Sequence, residues 1–220
     1  MILVNFKLAE QSFGQGAEKL AKSCMNVSKK TGVTIIPVVS AIDIRSLSAL
    51  DHLKVMSQHM DPYDSGRFTG KTSPRQLAQS GAIGSLINHS EDKQPKGTIL
   101  KLLTLVPKGF MTVVCVRSQQ QAVFWAKKGV TYLAYEPPEL IGSKTSSVSV
   151  EKRDQIERMV NLVTPIPLLV GAGVKSRTDV EVALAAGAKG VLVASAVVES
   201  EDPEHILKEM AEGFGVKSFT

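Results

Sequence analysis

Three side chains suited to one piece of proton chemistry each stand where an apolar run stops. Glu136 follows Tyr132-Leu133-Ala134-Tyr135 and precedes Pro137 and Pro138, whose rings stiffen the backbone carrying the carboxylate. His89 follows Ile83-Gly84-Ser85-Leu86-Ile87 within the polar stretch Asn88-His89-Ser90-Glu91. Lys7 ends Val4-Asn5-Phe6-Lys7, with Asn5 two residues earlier and so on the same side of a strand. A carboxylate can take a proton, while an imidazole and an ammonium steady the charge its loss leaves on oxygen. A helix N-terminus beside His89 would hold the ring neutral, and Ser90 and Glu91 could cap the turn that follows. Each residue alone has a plainer reading: a solvated lysine, a structural histidine, an acid on a long connection.

Two further chain segments suit an anion. Val170-Gly171-Ala172-Gly173-Val174 and Val193-Ala194-Ser195-Ala196 are small enough for backbone N–H groups to approach a ligand closely, and they lie one βα unit apart. After Glu136 the stretch through Thr145 reads as a loop, stiff at its proline entrance and flexible around Gly142 and Ser143, suited to act as a lid.

Positioning these residues requires a sheet whose strands end together. Eight short apolar runs predict strands: Ile2–Phe6, Thr34–Pro37, Leu53–Ser57, Ala82–Ile87, Thr112–Val116, Tyr132–Tyr135, Pro167–Val170 and Gly190–Ala194. Between them, apolar residues at spacings of three and four predict helices over Gly16–Lys29, Ile99–Val106, Gln119–Lys128, Val150–Leu162, Arg177–Ala186 and Pro203–Met210. Strands that are apolar on both faces belong to a parallel sheet covered by helices. An eight-fold closed α/β barrel fits the count best; periodicity alone leaves an open doubly wound sheet available.

Composition narrows the function classes. The 220 residues are 43% hydrophobic and 21% charged, as in ordinary globular domains, and the expectation is one domain over residues 1–220. The net charge of +5 is scattered without a basic run, so a small anionic substrate explains it as well as nucleic acid does. No apolar stretch suits a signal segment or a membrane span, and a cytoplasmic protein is expected. Cys24 and Cys115 lack metal-ligand spacing and read as buried thiols.

Together, Asn5-Phe6-Lys7, Asn88-His89-Ser90-Glu91, Tyr135-Glu136-Pro137-Pro138-Glu139-Leu140-Ile141-Gly142, Gly171-Ala172-Gly173 and Val193-Ala194-Ser195 resemble the short, archaeal type of the triosephosphate isomerase family, over essentially the whole chain. That resemblance implies a single-domain (β/α)8 TIM barrel that interconverts dihydroxyacetone phosphate and D-glyceraldehyde 3-phosphate through an enediolate, in glycolysis and gluconeogenesis. Triosephosphate isomerase is itself the standard case of a glutamate base working with a neutral histidine. By resemblance Glu136 is the base, His89 and Lys7 are electrophiles, and Asn5 and Lys7 hold substrate. Ile141, Gly142, Gly173, Ala194 and Ser195 would surround the phosphate, with Ser90 and Glu91 supporting from behind. No metal or organic cofactor is implied.

The segment from Gln58 to Lys71 is similar to the family's interlocking loop. Phe68, Thr69, Gly70 and Lys71 would then enter a neighbouring subunit of a homodimer or homotetramer, with Thr69 steadying the neighbour's Asn5 or Lys7. Lys71 and Asp92 invert the charges common in the family, suggesting a Lys71–Asp92 bridge between subunits. Ser143 to Ser147 depart from the usual loop patterns of the family. Two rivals stand beside this reading: another phosphate-binding barrel, such as a ribulose-phosphate epimerase or a tryptophan-pathway enzyme, and an idle barrel used for binding. Epimerases of that kind need several strand-end metal ligands, whereas His89 is the one well-placed strand-end histidine, and His52, His59 and His205 read as structural.

Overall fold

A computed structural model describes residues 1–51, 53–136 and 153–216. Eight strands, β1 (Ile2–Asn5), β2 (Ile35–Val39), β3 (Val55–Ser57), β4 (Ala82–Ile87), β5 (Met111–Val116), β6 (Tyr132–Tyr135), β7 (Leu168–Val170) and β8 (Gly190–Val193), form a closed barrel in chain order. Every pairing is parallel, and β8 closes on β1 through the register Ile2 with Val191, Leu3 with Leu192 and Val4 with Val193. Closure removes the open-sheet alternative.

Side chains alternate between two apolar layers. Leu3, Ile36, Val38, Met56, Leu86, Val113 and Leu169 belong to one cluster that fills the barrel. Ile2, Val4, Ile35, Val39, Ile87 and Val114 belong to the other, between strands and helices. Both faces of each strand are therefore buried, which is why the runs lack polar alternation. Asn5 shares the parity of Leu3 and is the inward residue at the barrel's mouth.

The described helices are α1 (Gln15–Thr31), α2 (Ile44–Ser48), α3 (Pro74–Gln79), α4 (Lys96–Leu105), α5 (Gln119–Ala126), α6 (Arg153–Val163), α7 (Arg177–Ala185), α8 (Ser195–Val198) and α9 (Pro203–Glu212). Their starts follow from capping chemistry: Ser73, Ser118, Ser176 and Asp202 accept from the amides of Gln76, Gln121, Asp179 and His205. At the other end of α1, Gly32 takes a left-handed φ of 72° and its N–H closes on the Ser28 carbonyl.

Strand ends differ from expectation by one to two residues. β2 continues through Pro37 to Val39, because pairing with β3 begins only at Val38 and leaves no ladder bond for the proline nitrogen to supply. β1 stops at Asn5, short of Phe6, and β3 starts at Val55, beyond Leu53. The short helices α2, α3 and α8 had no separate signal, being too brief to display a helical period. His52, Pro137 to Gly142, the rest of the expected lid and the start of the Val150–Leu162 helix lie outside the described residues.

Candidate active site

At the carboxyl ends of the strands lies a cavity of about 570 Å³, where Asn5, Lys7, His89, Ser90 and Glu136 meet Gly173, Ala194 and Ser195. Residues from β1, β4, β6, β7 and β8 thus reach one space, as expected. Ile141 and Gly142 lie outside the described residues.

Glu136 is 5% exposed, and its amide donates to the Val116 carbonyl at 2.8 Å, extending the ladder one step past β6. Gly171 N–H does the same to Tyr135 at 2.9 Å, so the backbone under the carboxylate is tied on both sides. Oε1 lies 3.3 Å from His89 Nε2, while the buried Oε2 has no hydrogen bond among the described residues. An unpaired buried carboxylate oxygen is costly, and its lone pairs remain available to a proton. Beside it, burial and then the Glu136 carboxylate push the Cys115 thiol well above its ordinary range. Cys115 is therefore a neutral thiol and not a competing thiolate.

His89 is presented by Asn88, a left-handed residue with φ 62° whose carboxamide donates to the Cys115 carbonyl at 3.0 Å and accepts from Gln94 N–H at 3.2 Å. Among the described residues no helix N-terminus adjoins His89, since α4 begins only at Lys96. The turn itself supplies the donor: Glu91 N–H reaches His89 Nδ1 at 3.2 Å. Nδ1 is then an acceptor, and the ring proton is on Nε2. The Glu91 carboxylate, 3.9 Å from Nδ1, is too distant for a hydrogen bond.

That tautomer gives meaning to the 3.4 Å between Asn5 Nδ2 and His89 Nε2. With the proton on Nε2 both atoms are donors, and two donors this close can be served by one acceptor oxygen that faces them both from the cavity. Lys7 adds a third donor group. It holds a left-handed φ of 52°, its N–H donates to Asn5 Oδ1 at 3.1 Å, and its Nζ meets Glu91 Oε1 at 2.6 Å. For a lysine that backbone costs about 1–2 kcal/mol, a cost local contacts must offset.

On the opposite wall, Gly173 is left-handed at φ 66°. Ser195 and Ala196 occupy the first two positions of α8, where N–H groups lack helical partners. Lys175 and Glu199 also line the cavity, and among the described residues neither joins an ion pair. Sequence reasoning missed both, because neither follows a strand directly. No group of three His, Cys, Asp or Glu among the described residues is arranged to hold a metal ion.

The β3–α3 loop contributes no residue to this cavity from its own chain beyond positioning contacts. Its neck is tied by Asp61 N–H to the Thr72 carbonyl at 2.7 Å and by Thr72 N–H to Asp61 Oδ2 at 2.9 Å. Burial alone would raise the Asp61 carboxyl, but the Thr72 amide, Lys71 and His59 outweigh it and hold it below the usual range. Lys71 Nζ meets Asp61 at 3.2 Å and Asp92 meets His59 Nδ1 at 2.5 Å, so both partners of the expected inter-subunit bridge are engaged within the chain. His59 faces these acids and does not line the cavity.

Fold and pocket define a class: a closed (β/α)8 barrel with a carboxylate–imidazole pair and small-residue anion loops at the carboxyl ends of its strands. A family model described as triosephosphate isomerase matches residues 1–210. The triosephosphate isomerase of Methanothermus fervidus is 36% identical over 215 residues, covering 96% of each chain. That of Sulfurisphaera tokodaii is 38% identical over 213 residues, 95% of this chain and 93% of its own, and that of Methanosarcina barkeri 34% over 216 residues, 95% and 96%. The chain belongs to the triosephosphate isomerase family, and its activity is isomerisation of triose phosphates.

Proposed function

We propose that Glu136, His89 and Lys7 carry the interconversion of dihydroxyacetone phosphate and D-glyceraldehyde 3-phosphate in this chain. The observation that supports it most is the meeting of an unspent carboxylate oxygen with three convergent donor groups, Asn5 Nδ2, His89 Nε2 and Lys7 Nζ, in one cavity. Glu136 takes the proton from the carbon next to the substrate carbonyl. The electron pair of that C–H bond forms the enediolate double bond, and the carbonyl oxygen gains the charge. His89 Nε2–H and the Lys7 ammonium hold that oxygen and its neighbour. Glu136 then returns the proton to the adjacent carbon, so no electrons leave the substrate and no metal or organic cofactor is required.

Backbone amides at Gly173, Ala194 and Ser195 hold the phosphate; Ile141 and Gly142, which the family resemblance adds to the substrate-binding residues, lie outside the described residues. Ser90 backs the cavity, and Glu91 restrains Lys7 while its amide orients His89. A homodimer or homotetramer fits the exposure of Leu8 (81%), Ile42 (90%), Phe13 and Phe68 on the first three βα loops, with Thr69, Gly70 and Lys71 reaching the neighbour. Two free, buried cysteines suit the cytoplasm, and no described helix is long and apolar enough to cross a membrane.

The test is an isomerisation assay in both directions. The wild type should be active, and Glu136→Gln should lower kcat by about 10²–10⁴-fold with the fold intact. A folded, oligomeric wild type without activity on either triose phosphate would overturn the assignment.

A further inference from the structure

Directly after β3, Gln58 extends the sheet with its backbone, its N–H donating to the Val39 carbonyl at 3.1 Å. Its half-buried side chain turns back across the barrel mouth to β1. There the carboxamide Nε2 lies 3.3 Å from Asn5 Oδ1, 3.0 Å from the Lys7 carbonyl and 3.3 Å from the Val38 carbonyl. All three are acceptors, so the position asks for a donor. A carboxylate of the same shape would set its charge against three oxygens.

The consequence falls on two residues that face substrate. Asn5 Oδ1 accepts from both Gln58 and the Lys7 N–H, which leaves Nδ2 as the end turned to His89. Lys7 keeps its left-handed backbone with its carbonyl bound by the same Nε2. Resting on the reading of the site given above, we infer that Gln58 is a positioning residue for the reaction. Its amide orients the Asn5 carboxamide and secures the Lys7 backbone, so that both donors meet the developing enediolate. It touches no substrate and acts only through β1.

Two variants test this on the full-length chain, read by steady-state kinetics and by two inhibitors. Inorganic phosphate probes the amides after β7 and β8; phosphoglycolate adds a carboxylate in place of the enediolate oxygens. In Gln58→Met, kcat/KM should fall about tenfold or more, phosphoglycolate should bind about tenfold more weakly, and inorganic phosphate should bind as before. Gln58→Glu should be weakest above pH 7 and recover part of its kcat toward pH 5.5, relative to wild type, because a protonated acid donates one hydrogen bond and its anion none. Should Gln58→Met fail to fold, this pH profile carries the test alone. Wild-type kcat/KM in Gln58→Met, equal weakening of both inhibitors, or a pH-independent deficit in Gln58→Glu would overturn the inference. An inactive wild type would instead remove the reading of the site itself, so the two failures are distinguishable.

Discussion

A methyl group on Gly171 would meet Glu136 Cγ at 3.1 Å and Leu192 Cβ at 3.3 Å. The glycine keeps the space in which the carboxylate stem lies, and its backbone is not in the left-handed region, so alanine is conformationally allowed there. Gly171→Ala should displace the carboxylate by a few tenths of an ångström while leaving the barrel folded. We expect kcat to fall about tenfold with KM little changed, since misplacement of a base weakens the transition state more than substrate binding. Steady-state kinetics on the variant, beside a thermal melt within a few degrees of wild type, checks this. Glu136, His89 and Lys7 were legible in sequence because each follows an apolar run. The hydrogen bonds that set their states were not. The thiol beside Glu136 and the Gln58 carboxamide on β1 join residues far apart in the chain, and the Glu91 amide on His89, two residues away, depends on the fold of the turn and not on residue type, so no local pattern announces them.

The loop from β7 to α7 shows how one element disciplines the next. Asp179 Oδ2 accepts from Lys175 N–H at 2.9 Å, Ser176 N–H at 3.1 Å and Ser176 Oγ–H at 3.0 Å, while Ser176 Oγ accepts from Asp179 N–H at 3.3 Å. This capping box starts α7 and anchors the far end of Gly171 to Lys175, the loop beneath the proposed phosphate. Asp179→Ala removes a buried acceptor from three donors and should cost about 1–3 kcal/mol of stability. The loosened loop should raise KM for triose phosphate about tenfold and leave kcat closer to wild type; an unchanged KM would separate the cap from the binding loop. Long elements such as α1 and α9 were legible from their apolar stripes. β2 runs two residues past the expected end at Pro37, because the staggered pairing with β3 leaves one side of the proline unpaired, and that register is not visible in the local sequence.

For the molecule as a whole, eight apolar runs alternating with helical periods already implied a parallel sheet covered by helices, while closure is a property of the last pairing, β8 with β1. The exposed Leu8, Phe13, Ile42 and Phe68 lie at the same end as the active site, so association through this face would bury apolar surface and bring a neighbour's loop beside Lys7. Ile42→Asp should place a charge in that contact and shift sedimentation equilibrium toward the monomer, with a several-fold lower kcat/KM; an unchanged molecular mass would locate the interface elsewhere. The central claim is that one carboxylate ferries a proton between adjacent substrate carbons. Its most direct test is isomerisation in deuterated water, with the recovered substrate and product examined by NMR. The account predicts that the wild type places solvent deuterium on the carbon that exchanges its proton with Glu136, and that Glu136→Gln abolishes this exchange together with turnover. Deuterium exchange at the wild-type rate in Glu136→Gln would contradict it.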